Sequence, residues 1–397
     1  MINKPEILAP AGDMECLKTA FRFGADAAYI GGPIMQLRSG GVGFDLEGIE
    51  TAVRFSHENG KKLYVAVNSF AFDRELGDIS EYVKRLYDIG TDAVIVSDLG
   101  VLYTAKKAVP GLEVHISTQA NCQNSAAATV YSELGAKRAV LAREMSLEDI
   151  KEFTRNVPEG FETEAFVHGA MCMAYSGRCF ISSFLSSRSG NRGECTQPCR
   201  WKYHLSEQNR PGEFFAVESD GESGTTILSS RDLCCIDFLD EIAAAGVCSF
   251  KIEGRMKSPY YVATVVNAYR HAVDKTADIM LLKEELNTVS HRPYCSGFYF
   301  GELKKYSPDT DMAYEQSRVF AGVVTDYKNG RVTVKQRGKF EQGDTIEVVS
   351  PDSIGLSFTA TGMCDEKGNM ITSAPHAEQI VTMDCPFELS PGDILRK

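Results

Sequence analysis

The sequence predicts an α/β protein with a TIM-like (β/α)8 barrel, a cysteine-rich insertion in that barrel, and a small C-terminal antiparallel β-barrel domain. Three observations predict this fold. Short apolar runs alternate eight times with longer amphipathic runs, a cysteine-rich stretch separates the seventh apolar run from the eighth, and the end of the chain shows only strand-like alternation. An open doubly wound sheet is the alternative. No GxGxxG turn follows any apolar run, which argues against dinucleotide binding.

Each of the eight apolar runs is short enough for a strand, and a run with helical periodicity follows most of them. Helix start signals support the assignment, because Ser146 is followed three residues later by Asp149, and Ser258 is followed by Pro259. The predicted barrel strands are 6–9, 27–31, 62–68, 93–97, 113–117, 138–142, 162–168 and 249–253. The predicted helices are 13–23, 46–59, 78–89, 99–108, 122–134, 146–156, 236–245 and 258–276.

Two domains are predicted. Residues 1–310 form the barrel-like catalytic domain, with the cysteine-rich insertion at about 169–248. An insertion that follows a barrel strand emerges at the C-terminal face, where such enzymes have their active sites. Residues 311–397 form a C-terminal β-domain, because their short alternating runs are joined by turn signals such as Asn329-Gly330.

The charge and hydropathy of the chain exclude two classes of protein. A formal net charge of −12 over 397 residues excludes a globally basic nucleic-acid coat, although it allows a local basic patch. No apolar run reaches the roughly 20 residues that a membrane helix needs. The N-terminus shows no secretory apolar region, so we expect a cytoplasmic protein.

The twelve cysteines are the main chemical signal, because clustered cysteines in the reducing cytosol indicate metal binding or catalysis. The spacing in the insertion is Cys172-x6-Cys179-x15-Cys195-x3-Cys199, and Cys234 follows later. Thiolates suit zinc or an iron–sulfur cluster. The CxxC pairs typical of structural zinc and the CxxxCxxC motif of radical-SAM proteins are both missing. The spacing favours an iron–sulfur cluster, with zinc or no metal as alternatives.

A local basic patch lies in this acidic chain, since Glu194 is the only acid between residues 178 and 202. Such a patch suits RNA phosphates, and Trp201, the single tryptophan, can stack on an unpaired base. The alternative is a solvated arginine loop with Trp201 packed in a core. The candidate RNA-binding residues are Arg188, Arg192, Arg200, Trp201 and Lys202.

Polar and charged residues are expected at the C-terminal ends of several strands, which meet at one face of a barrel. Three cations at these ends suit a carboxylate ligand: Arg143, Lys251 and Arg255. His168 suits acid–base chemistry or ligand positioning. Asn68, Gln119 and Glu144 lie at similar strand ends. The candidate catalytic residues are His168, Arg143, Glu253 and Arg255.

Several long motifs resemble the family historically called peptidase U32. They are ILAPAGD, HGAMC, SGRCFIS, GECTQPCRW, SSRDLC, FKIEGRMKSPYYVATVVNAYR and HRPYCSGFYFG, and the resemblance covers essentially the whole chain. It implies a [4Fe-4S] cluster on four cysteines. Carried over by motif, the metal ligands are Cys172, Cys179, Cys195 and Cys234. Cys199 in place of Cys195, and Cys235 beside Cys234, remain alternatives.

The resemblance also implies a function. The chain is similar to the branch of the family that hydroxylates the wobble uridine of tRNA to 5-hydroxyuridine with prephenate as co-substrate. The implied partners are tRNA, a small dicarboxylate and a homologous partner subunit, with no membrane. A collagenase-like peptidase and a non-catalytic iron–sulfur accessory subunit are the alternatives. The sequence has no GxSxG or HExxH motif, and a dyad of Cys172 with His168 is the remaining protease-like pair.

Overall fold

The computed structural model describes residues 4–37, 43–172, 174–201, 231–301, 314–351 and 353–397, and the backbone of two short strands between 201 and 231. Contacts divide the chain into two compact units. The first comprises Met1–Leu17, Asp26–Met256 and His291–Tyr314, and the second comprises Lys18–Ala25, Lys257–Ser290 and Glu315–Lys397. Within the described ranges, no helix has both the length and the apolar character to cross a bilayer.

The first unit contains a ten-stranded sheet and one two-stranded pair, β8–β9. Its strands are β1 (Glu6–Pro10), β2 (Ala27–Gly31), β3 (Lys62–Val67), β4 (Ala93–Val96), β5 (Val114–Ile116), β6 (Arg138–Val140), β7 (Glu162–Ala170), β8 (Leu205–Ser206), β9 (Phe214–Phe215), β10 (Asp232–Cys234), β11 (Ser249–Ile252) and β12 (Tyr294–Cys295).

Eight of these strands, β1 to β7 and β11, form a closed parallel barrel. The barrel closes because β11 pairs in parallel with both β1 and β7. Ser249 of β11 is the register partner of Glu6 on one side and of Glu164 on the other. The predicted (β/α)8 fold is therefore confirmed, and the open-sheet alternative is excluded. Outside the barrel, β10 pairs antiparallel with β7.

The first six helices each follow one barrel strand, as a (β/α)8 fold requires. Ser146 and Asp149 form the predicted capping box, and Ser258 caps the helix that starts with Pro259. The helices are α1 (Met14–Arg22), α2 (Leu46–Glu58), α3 (Leu76–Ile89), α4 (Leu99–Ala108), α5 (Ser125–Glu133), α6 (Leu147–Asn156), α7 (Ile181–Ser186), α8 (Leu239–Ala244), α9 (Pro259–Asp274) and α10 (Ile279–Leu286).

The second unit contains a six-stranded antiparallel sheet in the order β17-β16-β20-β13-β14-β19, which confirms the predicted C-terminal β-domain. Asn329 and Gly330 both adopt positive φ between β13 and β14, as a tight hairpin turn requires. The strands are β13 (Phe320–Lys328), β14 (Arg331–Gln336), β15 (Phe340–Glu341), β16 (Thr345–Ser350), β17 (Ser353–Thr359), β18 (Ser373–Ala374), β19 (Ile380–Asp384) and β20 (Ile394–Arg396).

Helices α9 and α10 group with this sheet by contacts, although the sequence assigns them to the barrel domain. One link is Arg396 of β20, a buried side chain that donates hydrogen bonds to Glu285 of α10 at 2.7 and 2.8 Å and to Glu347 of β16 at 2.9 Å. The domain boundary at residue 310 stays a prediction.

Candidate functional site

A cavity of about 180 Å³ lies at the C-terminal ends of the barrel strands. Its wall combines side chains that follow β3, β5, β6 and β11 with side chains of the cysteine-rich insertion. This is the face at which (β/α)8 enzymes bind their substrates. Among the predicted site residues, those on the wall are Arg143, Glu253, Arg255, Cys172, Cys179, Cys195 and Arg200.

The other predicted site residues lie elsewhere. His168 is buried on β7, with its ring centroid 5.4 Å from that of Tyr294, and it is not on the cavity wall. Arg188 is exposed and Trp201 is 42% exposed, so Trp201 is not packed in a core. Lys202 lies outside the described residues.

Arg143 is held rigidly at the cavity wall. Its guanidinium carbon lies 3.8 Å from the ring centroid of Phe166, and its Nη1 donates a hydrogen bond of 2.6 Å to the carbonyl of Ala170. Its Nη2 lies 3.7 Å from Oε2 of Glu253, which also lines the cavity. That distance is longer than a hydrogen bond but within the range of an ion pair, so the guanidinium and the carboxylate lie side by side on the cavity wall.

Arg255 lines the cavity and passes close to Gly31, the last residue of β2. A Cβ added to Gly31 would lie only 2.1 Å from Nη1 of Arg255 and 2.0 Å from Oε1 of Gln36. Glycine at the end of β2 therefore leaves the space that the Arg255 guanidinium and the Gln36 amide occupy, and a larger residue would force both side chains to shift. Arg255 was predicted as a site residue from its place after a strand, whereas no local signal predicted the role of Gly31.

Lys251 forms the inner end of the cavity. Its ammonium lies 2.7 Å from Oε1 of Glu164, a fully buried carboxylate that also contacts Arg138 at 3.0 Å. Burial alone raises the pKa of Glu164, but the charges of Lys251 and Arg138 outweigh burial and lower the pKa to about 2. The network keeps a cation at the base of the site.

Two amide side chains on the wall present acceptors to the cavity. In the described part of the chain, neither Oδ1 of Asn68 nor Oε1 of Gln119 has a hydrogen-bond partner, although both atoms are buried. Buried acceptors of this kind are costly unless a ligand or water satisfies them. The site therefore suits a ligand that carries N–H or O–H donors as well as negative charge.

Four cysteines of the insertion line the same cavity: Cys172, Cys179, Cys195 and Cys199. Cys172 is exposed and the other three are half-buried. Burial raises the pKa of the Cys199 thiol, Arg200 lowers it, and the charges of Cys172, Cys195 and Cys179 raise it further. Each of the other three thiols therefore lies near enough to Cys199 to affect its pKa.

Cys234 is not on the cavity wall. It lies on β10, where its register partner is His168 of β7. The neighbouring Cys235 is buried, and burial together with the charges of Cys234 and Cys295 raises its thiol pKa. The structure thus places Cys199 on the same wall as three of the predicted ligands, whereas the predicted fourth ligand was Cys234 and Cys199 was an alternative to Cys195.

The donor set of the cavity fits an iron–sulfur cluster. Four thiols of the insertion line one wall, and thiolates are the ligands that hold such clusters. Across the described ranges, no three His, Cys, Asp or Glu side chains are placed to hold one metal ion.

Arg192 connects the insertion to the barrel. Its guanidinium donates hydrogen bonds to Oε1 of Glu75 at 2.8 Å and to the carbonyl of Phe70 at 2.6 Å, and it lies over the ring of Phe72. The hydrogen bond from Arg192 lowers the pKa of Glu75 to about 2. Arg192 was predicted only as an RNA-binding residue. Its contact with Glu75 could not be predicted, because the two residues are 117 positions apart in the chain.

The closed barrel, the cavity at its C-terminal mouth and the thiol-bearing insertion define a (β/α)8-barrel protein with an enzyme-like site. The chain belongs to peptidase family U32. The model of that family matches residues 12–308, and the model of the peptidase family U32 C-terminal domain matches residues 316–396.

Three curated relatives represent the similarity. The tRNA hydroxylation protein P1 of Bacillus subtilis is 37% identical, over 100% of this chain and 95% of the relative. The tRNA hydroxylation protein P of Escherichia coli is 35% identical, over 97% of this chain and 95% of the relative. A collagenase of Porphyromonas gingivalis is 31% identical, over 88% of this chain and 87% of the relative.

Proposed function

We propose that this protein is an RNA-modifying hydroxylase that converts the wobble uridine of tRNA to 5-hydroxyuridine in the cytoplasm. The observation that carries the proposal is the cavity, in which cationic and amide side chains lie beside four thiols. Full-length similarity to two proteins named for tRNA hydroxylation supports it. A base must leave its stack to reach such a cavity, as in other enzymes that modify bases.

The proposed co-substrate is prephenate, a small dicarboxylate. Its two carboxylates require cations at fixed positions. Three cationic side chains line the cavity: Arg143, Lys251 and Arg255. Arg143 and Lys251 are each oriented by a partner, through the carbonyl of Ala170 and the carboxylate of Glu164. Glu253 beside Arg143 is the proposed acid–base group, and His168, behind the wall, is a proposed positioning residue.

The proposed cofactor is a [4Fe-4S] cluster bound by Cys172, Cys179, Cys195 and a fourth cysteine. We propose Cys199 as the fourth ligand because it lines the cavity with the other three, whereas Cys234 does not. The cluster, when bound, supplies redox chemistry or organises the oxygen donor. The chain itself binds the anion, orients the base through its amides and excludes bulk water from the base of the barrel.

A peptidase is the second candidate, because one relative is named a collagenase. The protease reading requires an activated nucleophile that is not bound to iron. In the predicted dyad, Cys172 is exposed and lines the cavity, whereas His168 is buried and does not line the cavity. The geometry therefore supports hydrolysis less well than it supports anion and base binding.

Complementation tests the proposal. The gene is expressed in an Escherichia coli strain that lacks its own tRNA hydroxylation protein P and has no other source of 5-hydroxyuridine. Mass spectrometry of tRNA nucleosides should detect 5-hydroxyuridine with the wild-type chain but not with Arg255→Gln. Lys107→Gln, an exposed change on α4, is the control and should complement fully. If the wild-type chain leaves the nucleosides unmodified while degrading gelatin, the peptidase candidate replaces the hydroxylase.

A further inference from the structure

The short helix α7 has its polar side inward and its aromatic side outward. Ser182 is 2% exposed, whereas Phe180, immediately before the helix, is 71% exposed and Phe184 is 79% exposed. The two phenylalanines are four residues apart, and the amide of Phe184 donates to the carbonyl of Phe180 at 3.0 Å. Residues at this spacing lie on the same side of a helix.

The serines fix this orientation. Oγ of Ser182 lies 3.2 Å from Oγ1 of Thr196 and accepts a hydrogen bond of 3.1 Å from the Thr196 amide. Oγ of Ser186 lies 3.0 Å from the same Thr196 hydroxyl. The serine side of α7 is therefore attached to the segment that carries Cys195 and Cys199, and rotation of the helix to bury the phenylalanines would break three hydrogen bonds.

Both chain neighbours of Phe180 line the cavity. Cys179, directly before Phe180, lines the cavity, and so does Ile181. Tyr175, which is 58% exposed, also lies on the wall and forms the rim. Two neighbouring exposed phenylalanines on one side of a helix are typical of a binding surface, whereas singly exposed apolar side chains are not.

We propose that Phe180 and Phe184 form a stacking surface for unpaired RNA bases that flank the base entering the cavity. This inference rests on the proposed function. Charge favours RNA as the occupant, since residues 172–201 contain four arginines and one glutamate in a chain of net charge −12. Aromatic side chains beside arginines are the usual means of binding single-stranded nucleic acid.

Fluorescence anisotropy with the full-length, anaerobically purified chain tests the inference. The probes are a labelled RNA stem-loop with uridine in the loop and a fully paired RNA duplex of equal length. Phe180→Ala combined with Phe184→Ala should weaken stem-loop binding by about tenfold or more, since the unpaired bases would lose both aromatic partners. Duplex binding should not change. The dependence of affinity on salt should also stay the same, because stacking releases no counterions.

Matched variants separate stacking from general hydrophobicity. Replacing both phenylalanines by tyrosine should restore most of the affinity, whereas leucine at both positions should not. Tyr103→Ala, which removes a 60% exposed aromatic side chain from α4, should have no effect. Equal binding by wild type and the double alanine variant would overturn the proposed stacking surface but leave the proposed function standing. Failure of the wild-type chain to bind the stem-loop would remove the proposed function as well.

Two further outcomes identify other occupants of this surface. If the double alanine variant lowers the molecular mass measured by sedimentation, the surface is an interface between copies of the chain. If the variant lowers the melting temperature by several degrees, another part of the same chain covers the phenylalanines. Either result overturns the proposal.

Discussion

The ammonium of Lys251 and the carboxylate of Glu164 lie 2.7 Å apart in an ion pair buried inside the barrel. Lys251 lines the cavity, and Glu164 lies two residues before Phe166, a wall residue of the same strand. Arg138 contacts Glu164 at 3.0 Å and Glu6 at 2.7 Å, so the base of the site continues into a charged network. The position of the cavity cation thus depends on the interior of the barrel.

Glu164→Gln should destabilise the barrel by about 3–5 kcal/mol, because it leaves Lys251 and Arg138 buried beside an uncharged amide. Glu162→Gln is the matched control. Glu162 also pairs with Arg138, at 2.7 Å, but its side chain is 38% exposed, so its loss should cost no more than about 1 kcal/mol. Urea denaturation followed by circular dichroism measures both effects. If both variants lost the same free energy of unfolding, burial of Glu164 would not strengthen its ion pairs.

The same carboxylate predicts a pH dependence. The pKa of Glu164 falls from 4.5 to about 2 on folding, so its stabilising effect is complete above pH 4.5 and is lost as the pH falls towards 2. A shift of this size corresponds to about 3 kcal/mol. Urea midpoints measured from pH 6 to pH 3 should fall more steeply for wild type than for Glu164→Gln. If the urea midpoints of the two proteins fell in parallel with pH, Glu164 would not be the group responsible.

Gly177→Ala should disturb the cysteine loop without unfolding the barrel. Gly177 has a φ of +70°, and a Cβ there would lie 2.0 Å from the backbone carbonyl oxygen of Gln119. Gly60→Ala is the control, because Gly60 has a similar φ of +66° but no atom within 4 Å of the added Cβ. Both variants carry backbone strain of about 1–2 kcal/mol, and only Gly177→Ala adds a collision. Iron content and RNA hydroxylation should fall for Gly177→Ala alone. Equal effects in both variants would show that strain, not the collision, is responsible.

The barrel could be predicted from the sequence because parallel strands are buried on both faces and read as continuous apolar runs. All five residues of β2 are buried, for example. Strand β10 was not predicted, since it has three residues and begins with Asp232. That aspartate is buried only because Arg292 donates to it at 2.6 and 3.0 Å, a partner sixty residues away that no local pattern reveals.

The site was partly predictable for a similar reason. Arg143, Glu253 and Arg255 follow barrel strands, and the C-terminal ends of parallel strands meet at one face, so their position on the cavity wall follows from the fold. The choice between Cys199 and Cys234 depends on the path of a long insertion. Spacing along the chain carries no information about that path, because loop residues are positioned by contacts such as that of Arg192 with Glu75.

Serine substitutions at Cys199 and Cys234 should therefore separate the two candidates for the fourth ligand. If Cys199 completes the cluster, Cys199→Ser should lower iron per chain and visible absorbance as much as Cys172→Ser does, because Cys199 lines the cavity with the other three thiols. Cys234→Ser should retain both signals, since Cys234, the register partner of His168 on β7, does not itself line the cavity. Cys385→Ser, a buried change in the C-terminal sheet, controls for general effects. Loss of iron in Cys234→Ser with retention in Cys199→Ser would assign the fourth ligand to β10 instead.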